Sequence, residues 1–232
     1  MRNLSLFILL IILIASCTQN PVKQANANYE LPTDMASIGK VLDSIFLEDQ
    51  KHRKQIDAIV QKHGVASDEF QDHWKKIQET DASNLIVVEQ VLEKHGWLGA
   101  ADIGQTANSA LFFVIQHADQ ETQEKYLPMI RQAVKAGNAR ATSLAMMEDR
   151  VLLGKGELQI YGSQLGKDSA TGEMFVRPMV DPANVNQRRA EVGLGPIEAY
   201  VAGWNLKWDL AEYEAKLPER VEQLDEWKKM SQ

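Results

Sequence analysis

The stretch QTANSALFFVIQHA, residues 105–118, decides the fold. Ala107, Ala110, Leu111, Phe112, Phe113, Val114 and Ile115 leave almost no polar face, the mark of a helix covered on several sides. Such a helix needs others around it, and helical patterns flank it in both directions. Upstream, from Thr33, the residues Ile38, Val41, Leu42, Ile45, Phe46, Ile56, Ile59 and Val60 form one apolar stripe that ends at Gly64. Ser67 can cap a helix through Phe70, Trp74 and Ile77, and a further helical run carries Leu85 to Leu92 and stops at His95-Gly96. The polar quartet Thr80 to Ser83 leaves open whether these are one helix or two. Downstream, Asp119 can cap a helix that runs to Gly137 and must accommodate Pro128 by a kink or a restart. Another helix is expected over about Arg140 to Leu153, stopped at Gly154-Lys155-Gly156.

The period then changes from helical to alternating. Leu158, Ile160 and Gln164 alternate with Gln159, Tyr161 and Ser163, and Met174-Phe175-Val176 answers after the turn-rich GKDSATG, residues 166–172. That pattern predicts a β-hairpin with a longish loop. Asp181-Pro182 reads as an N-cap with proline at the first helical position. Gly193 and Gly195-Pro196 close that short helix and open the next, whose stripe is Ile197, Tyr200, Val201, Trp204 and Trp208. A charged helix from Pro218 finishes the chain. The expectation is a mainly α fold: one mostly helical domain, residues 33–232, with a single inserted β-hairpin.

The other end of the chain speaks of location. Met1-Arg2 gives a basic start, Leu4 to Ala15 is an almost unbroken apolar run, and Ile14-Ala15-Ser16-Cys17 has the aliphatic, small, small, cysteine pattern of a bacterial lipobox. A dozen apolar residues are too few to span a bilayer and read as a signal-peptide core. Residues 1–16 are therefore expected to be removed and Cys17 to carry lipid; an ordinary secretory signal with an incidental cysteine is the alternative. Residues 17–32 are polar, hold two prolines and lack periodicity, as a tether would. The expected place is the bacterial cell envelope, outside the cytoplasm, with the membrane as partner through the lipid anchor.

Composition excludes several functions. The 232 residues carry 25 basic and 32 acidic side chains, a net charge of −7. That balance argues against nucleic acid, which needs clustered Lys and Arg, and against electrostatic adhesion to anionic lipid. Cys17 is the single cysteine, so the domain can form no internal disulfide, thiolate zinc site or cysteine nucleophile. There is no His-Glu-x-x-His, phosphate-cradling glycine loop or Gly-x-Ser-x-Gly elbow. No cofactor and no metal are expected.

Four segments carry a family resemblance: VIQHAD (114–119), EKYLPMIRQAVKAG (124–137), MMEDRVLLGKGELQIYGSQL (146–165) and VRPMVDPANVNQRRAEVGLGPIEAYV (176–201), with EDQKHR (48–53) as a weaker echo. Together they resemble domain-of-unknown-function family 6624 over roughly residues 96 to 201. Ser163 stands where members of that family tend to carry Thr, which keeps the hydroxyl. The resemblance implies no activity, but it marks polar residues worth following.

His117 continues the Ala110–Val114 stripe by one turn and puts an imidazole where apolar packing is expected. It is a candidate acid or base, or a hydrogen-bonded interior residue holding a helix corner. Asp119 lies off its helix face and fits a plain N-cap. His52, His63, His73 and His95 lie in polar surroundings or near helix ends and are expected to be exposed. Asp49-Gln50 and Arg53 interrupt the first stripe, and Asp149-Arg150 sits within another packed helix. Buried charges are costly unless paired, so these either face solvent or form a network, which the resemblance favours. Gln159, Tyr161 and Gln164 could orient a ligand from a strand or satisfy helix ends. Arg177, Arg188 and Arg189 could clamp a carboxylate or make surface ion pairs. Two functions stand. One is a non-catalytic domain that binds a small polar ligand or an envelope protein through Arg53, Arg150, Gln159, Tyr161 and Gln164. The other is a metal-independent hydrolase or transferase with His117 as general base and Asp49 or Asp149 orienting it.

Overall fold

In a computed structural model, which describes residues 29–168 and 172–230, Asp34 opens the first helix by accepting from the Ser37 backbone N–H at 2.9 Å. The expected signal segment, Cys17 and the tether as far as residue 28 lie outside the described residues. Helix α1 (Met35–Arg53) buries Ile38, Gly39, Leu42, Ile45 and Asp49. The stripe expected to run on to Gly64 is divided at Lys54-Gln55, and its continuation, α2 (Ile56–His63), buries no residue. The apolar spacing outlasts the core it would meet.

Helix α3 (Asp68–His95) is one element of 28 residues, capped as expected by the Ser67 hydroxyl, 3.2 Å from the Phe70 nitrogen. Thr80 and Ser83 turn their hydroxyls back onto the Lys76 and Glu79 carbonyls at 2.9 Å, so the polar quartet is absorbed without a break. After the short α4 (Ala100–Ile103) comes α5 (Gln105–His117), the central helix. It packs most extensively on α1 and also touches α3 and α4. A Cβ on Gly39 would lie 2.7 Å from the Ile103 carbonyl oxygen, so glycine is what lets α1 pass this close to α4. Leu111 and Ile115 are wholly buried beside Ile38, Leu42 and Val88. Phe113 is only partly buried: it packs at the rim of the core, with ring centroids 5.8 Å from Phe46 and 6.0 Å from His117.

Asp119 caps α6 (Gln120–Lys135) through the Thr122 nitrogen at 2.8 Å, and α6 runs through Pro128 instead of restarting there. Helix α7 (Ala141–Gly154) packs along α6. The hairpin follows, shorter and later than the alternation predicts: β1 (Leu165–Lys167) pairs antiparallel with β2 (Met174–Val176), Gly166 facing Phe175. Residues 158–164 are not a strand apart from a single parallel bridge between Gln159 and Met179. Asp181 takes a left-handed φ of 42° and makes no backbone cap before the 3₁₀ turn Pro182–Asn184; its carboxylate accepts instead from the Asn184 side chain. Helices α8 (Val185–Glu191), α9 (Ile197–Ala202) and α10 (Leu210–Met230) complete the chain. α9 ends before Trp204, and α10 begins ahead of Pro218, which lies inside it. Val176, Met179, Val185, Ile197 and Val201 form a second, smaller core. The fold is mainly α with one β-hairpin. No helix among the described residues is long and apolar enough to cross a membrane.

Candidate functional site

Burying α1 against α5 carries a charge inside. Asp49 lies one turn beyond Ile45 on the buried face of α1 and is only 1% exposed. From α5, the His117 Nδ1 lies 2.9 Å from Asp49 Oδ1. A carboxylate only accepts, so Nδ1 carries a hydrogen, and in the neutral form of the ring Nε2 keeps its lone pair. Nε2 makes no hydrogen bond among the described residues, and the His117 side chain keeps 19% of its surface exposed. Burial alone would push the Asp49 carboxyl up. The hydrogen bond and charge of His117, then Arg53 and Gln50, more than reverse this and hold it below the usual carboxylate range.

Arg53, one turn further along α1, lies 3.6 Å from Asp49 and 2.7 Å from Asp81 on α3. The Gln50 amide donates to Asp49 Oδ2 at 2.6 Å. Asp49, Asp81 and His117 each offer a ligand atom within 4.8 Å of the other two, a donor set that suits a divalent cation. Asp81 Oδ1 is buried without a hydrogen-bond partner. The guanidinium of Arg53 nevertheless already bridges both carboxylates, and a metal would compete with it for them.

The second acidic candidate is built differently. Asp149 on α7 is wholly buried, and both its oxygens are taken by backbone: Ile160 N at 2.6 Å, Tyr161 N at 2.9 Å and Ser163 N at 2.9 Å. Burial pushes its carboxyl up, against the downward pull of those three N–H groups. The carbonyls of the same loop are satisfied by cations and a phenol. Arg188 Nε donates to Ile160 O at 2.9 Å, Arg189 to Tyr161 O at 2.8 Å, and the Tyr200 hydroxyl to Ser163 O at 2.7 Å. Gln159, fully buried, bonds both backbone groups of Gln164, at 2.9 and 3.1 Å, and the Arg177 carbonyl at 2.8 Å. Buried backbone outside regular structure must find partners, and here charged side chains supply them. Gly162, at φ 65°, lets the loop turn; a Cβ there would stand 2.8 Å from Met179 Cε.

The candidate residues therefore fall into two groups. His117, Asp49 and Arg53 meet at the α1–α5 seam. Asp149, Gln159, Tyr161 and Gln164 meet around the 159–164 loop, where Gln164 also reaches Ser163 Oγ at 3.1 Å and the Met146 carbonyl at 3.4 Å. Arg188 and Arg189 grip backbone carbonyls, and Arg188 also pairs with the Asp181 carboxylate at 3.2 Å. Arg150, next to Asp149, feels both Arg53 and Arg177. Burial and those two like charges draw its pKa down. Among the histidines, His63 is exposed, but His73 is buried, with Nε2 2.8 Å from the His52 carbonyl. His95 is half-buried. Polar sequence neighbours hid the inward face of α3. A feature outside the sequence reading is a cavity of about 470 Å3 between the hairpin and α10, lined by Phe175, Trp204, Trp208, Tyr213 and Arg220. Its aromatic residues come from three elements, and only the Trp204-Trp208 spacing hinted at it.

Compared with curated proteins and with solved structures, the chain matches none. The model of a family of unknown function, DUF6624, matches residues 36–211, a span that begins well before residue 96 and takes in α1 with Asp49 and Arg53. The chain belongs to the family DUF6624.

Proposed function

We propose that this protein is a lipid-anchored protein of the bacterial cell envelope whose domain works as a metal-independent hydrolase or transferase. His117 is the general base and Asp49 its orienting carboxylate. The observation that carries this reading is the 2.9 Å contact from a buried Asp49 to His117 Nδ1, which leaves Nε2 free on a ring that still reaches solvent. In that arrangement Nε2 takes the proton from a water or hydroxyl nucleophile as it attacks, and Asp49 stabilises the imidazolium that forms. The proton then passes to the leaving group. Asp149 takes no part in this chemistry, because its oxygens are occupied by backbone N–H groups.

The test is a hydrolysis screen of the full chain in detergent against ester, amide, phosphoester and glycoside substrates. His117→Ala is expected to lower kcat by about 10²–10⁴ on whichever class is turned over, the range for one general base; unchanged turnover would overturn the reading. A non-catalytic binding or interaction domain is the second reading. It is favoured by the aromatic cavity of about 470 Å3 and by the lack of a side-chain nucleophile bonded to His117 among the described residues. No turnover in any class, together with a ligand whose binding survives His117→Ala, would select it. Anchoring rests on Ile14-Ala15-Ser16-Cys17. Labelled palmitate should enter the wild type and not Cys17→Ala; equal labelling of both would remove the lipid from the account.

A further inference from the structure

Arg150 is the one half-buried arginine around the two clusters with nothing to hold. Its Nε is buried without a hydrogen-bond partner, and it makes no ion pair or hydrogen bond among the described residues. Its neighbours differ. Arg53 is engaged by Asp49 and Asp81, Arg188 by Asp181 and two carbonyls, and Arg189 by the carbonyls of Gly195 and Tyr161. Arg177 uses one nitrogen, Nε, on the Leu165 carbonyl at 3.3 Å. The charges of Arg177 and Arg53 both bear on Arg150; Arg53 is offset by Asp49 and Asp81, whereas Arg150 and Arg177 meet no carboxylate among the described residues. The chain has no shortage of carboxylates, with 32 acidic residues against 25 basic. A half-buried guanidinium with its Nε buried and unpartnered, under the influence of a second unpaired arginine, is costly, and the fold keeps it.

We propose that Arg150, with Arg177 beside it, binds an anionic group of the ligand, a phosphate or similar dianion. Guanidinium nitrogens match the oxygens of such a group in pairs. A dianion suits the place better than a carboxylate because more than one positive charge converges on it. Arg53 belongs both to this charge cluster and to the Asp49–His117 pair, so the bound anion would be the substrate's handle next to the general base. That last step rests on the function proposed above; the anion site itself does not.

The experiment is a thermal-shift and calorimetric titration of the full chain in detergent with inorganic phosphate and, at matched ionic strength, with acetate. Phosphate should raise the melting temperature in a concentration-dependent way by mass action, and acetate should do so much less. Arg150→Met should abolish the phosphate response while melting, without phosphate, at or above the wild-type temperature, since it removes an unpaired buried charge. Arg177→Gln should weaken phosphate binding about tenfold, in line with the loss of one charge-assisted contact. His117→Gln should leave phosphate affinity unchanged, so the failure of general-base catalysis and the failure of this site give different results. Vesicles containing phosphatidic acid, a phosphomonoester, that displace phosphate would place the anion on a lipid headgroup; vesicles without effect would place it on a soluble ligand. The proposal is overturned by a wild type that does not respond to phosphate, by acetate binding as well as phosphate, or by Arg150→Met responding as wild type does. If Arg150→Met does not fold, Arg177→Gln decides, and unchanged affinity there overturns the site.

Discussion

Asp49 and Asp149 are both buried, each within a helix of the same domain, and they do opposite things. Asp149 spends both oxygens on three backbone N–H groups of the 159–164 loop and has no titratable partner. Asp49 spends its oxygens on side chains, one of them an imidazole whose second nitrogen remains free. Burial dominates the first carboxyl and pushes it up, while the imidazole and guanidinium dominate the second and pull it down. A buried charge alone therefore does not mark a functional site. What its partner still has to offer does.

The largest expected effect breaks the structural side of this comparison. Asp149→Ala would strand three buried donors, each costing about 1–3 kcal/mol when unsatisfied. A loss above about 3 kcal/mol is expected in denaturant unfolding, with hydrogen exchange accelerating at Ile160, Tyr161 and Ser163. A loss under about 1 kcal/mol would mean that the loop holds itself.

The next effect sharpens the comparison through pH. Asp49 has its carboxyl held below the ordinary value of about 3.9, so it binds fewer protons folded than unfolded. Its contribution to stability is present above that value and is lost as pH falls through the folded pKa. Asp149, pushed up, contributes most below the ordinary value and loses that contribution as pH rises through its own. Asp49→Asn should therefore flatten the acid limb of the stability curve, and Asp149→Asn should steepen it. Equal slopes in both variants would erase the distinction.

The legible part of this molecule was local. Ser67 and Asp119 were readable as caps because a cap bonds three residues ahead, and α5 was readable because its own residues leave no polar face. The Asp49–His117 contact was readable only as one of two alternatives, Asp49 or Asp149, since 68 residues separate the partners and the packing of α1 on α5 that joins them is set by the core. The 159–164 loop misled for a physical reason. Its alternation of Leu158, Ile160 and Gln164 with polar neighbours imitates a strand, yet the backbone groups of Ile160, Tyr161 and Ser163 bond to Asp149, Arg188, Arg189 and Tyr200 instead of to a second strand.

A smaller effect concerns the start of the domain. Leu31 packs partly against the main core, whereas the tether before residue 29 lacks apolar periodicity. A chain beginning at Tyr29 should melt with the full chain. One beginning at Thr33 should lose about 1 kcal/mol, part of the roughly 1.5–3 kcal/mol for a fully buried leucine. Equal melting of all three would place Leu31 outside the core.

The most direct measurement is the tautomer of His117, read from long-range proton–nitrogen couplings of its ring at a pH where the ring is neutral. The Asp49 contact requires the hydrogen on Nδ1 and a bare Nε2, and Asp49→Asn should release that constraint and move the hydrogen toward Nε2. A wild-type ring protonated on Nε2, or one tautomer shared by wild type and Asp49→Asn, would contradict the assignment of His117 as a base oriented by Asp49.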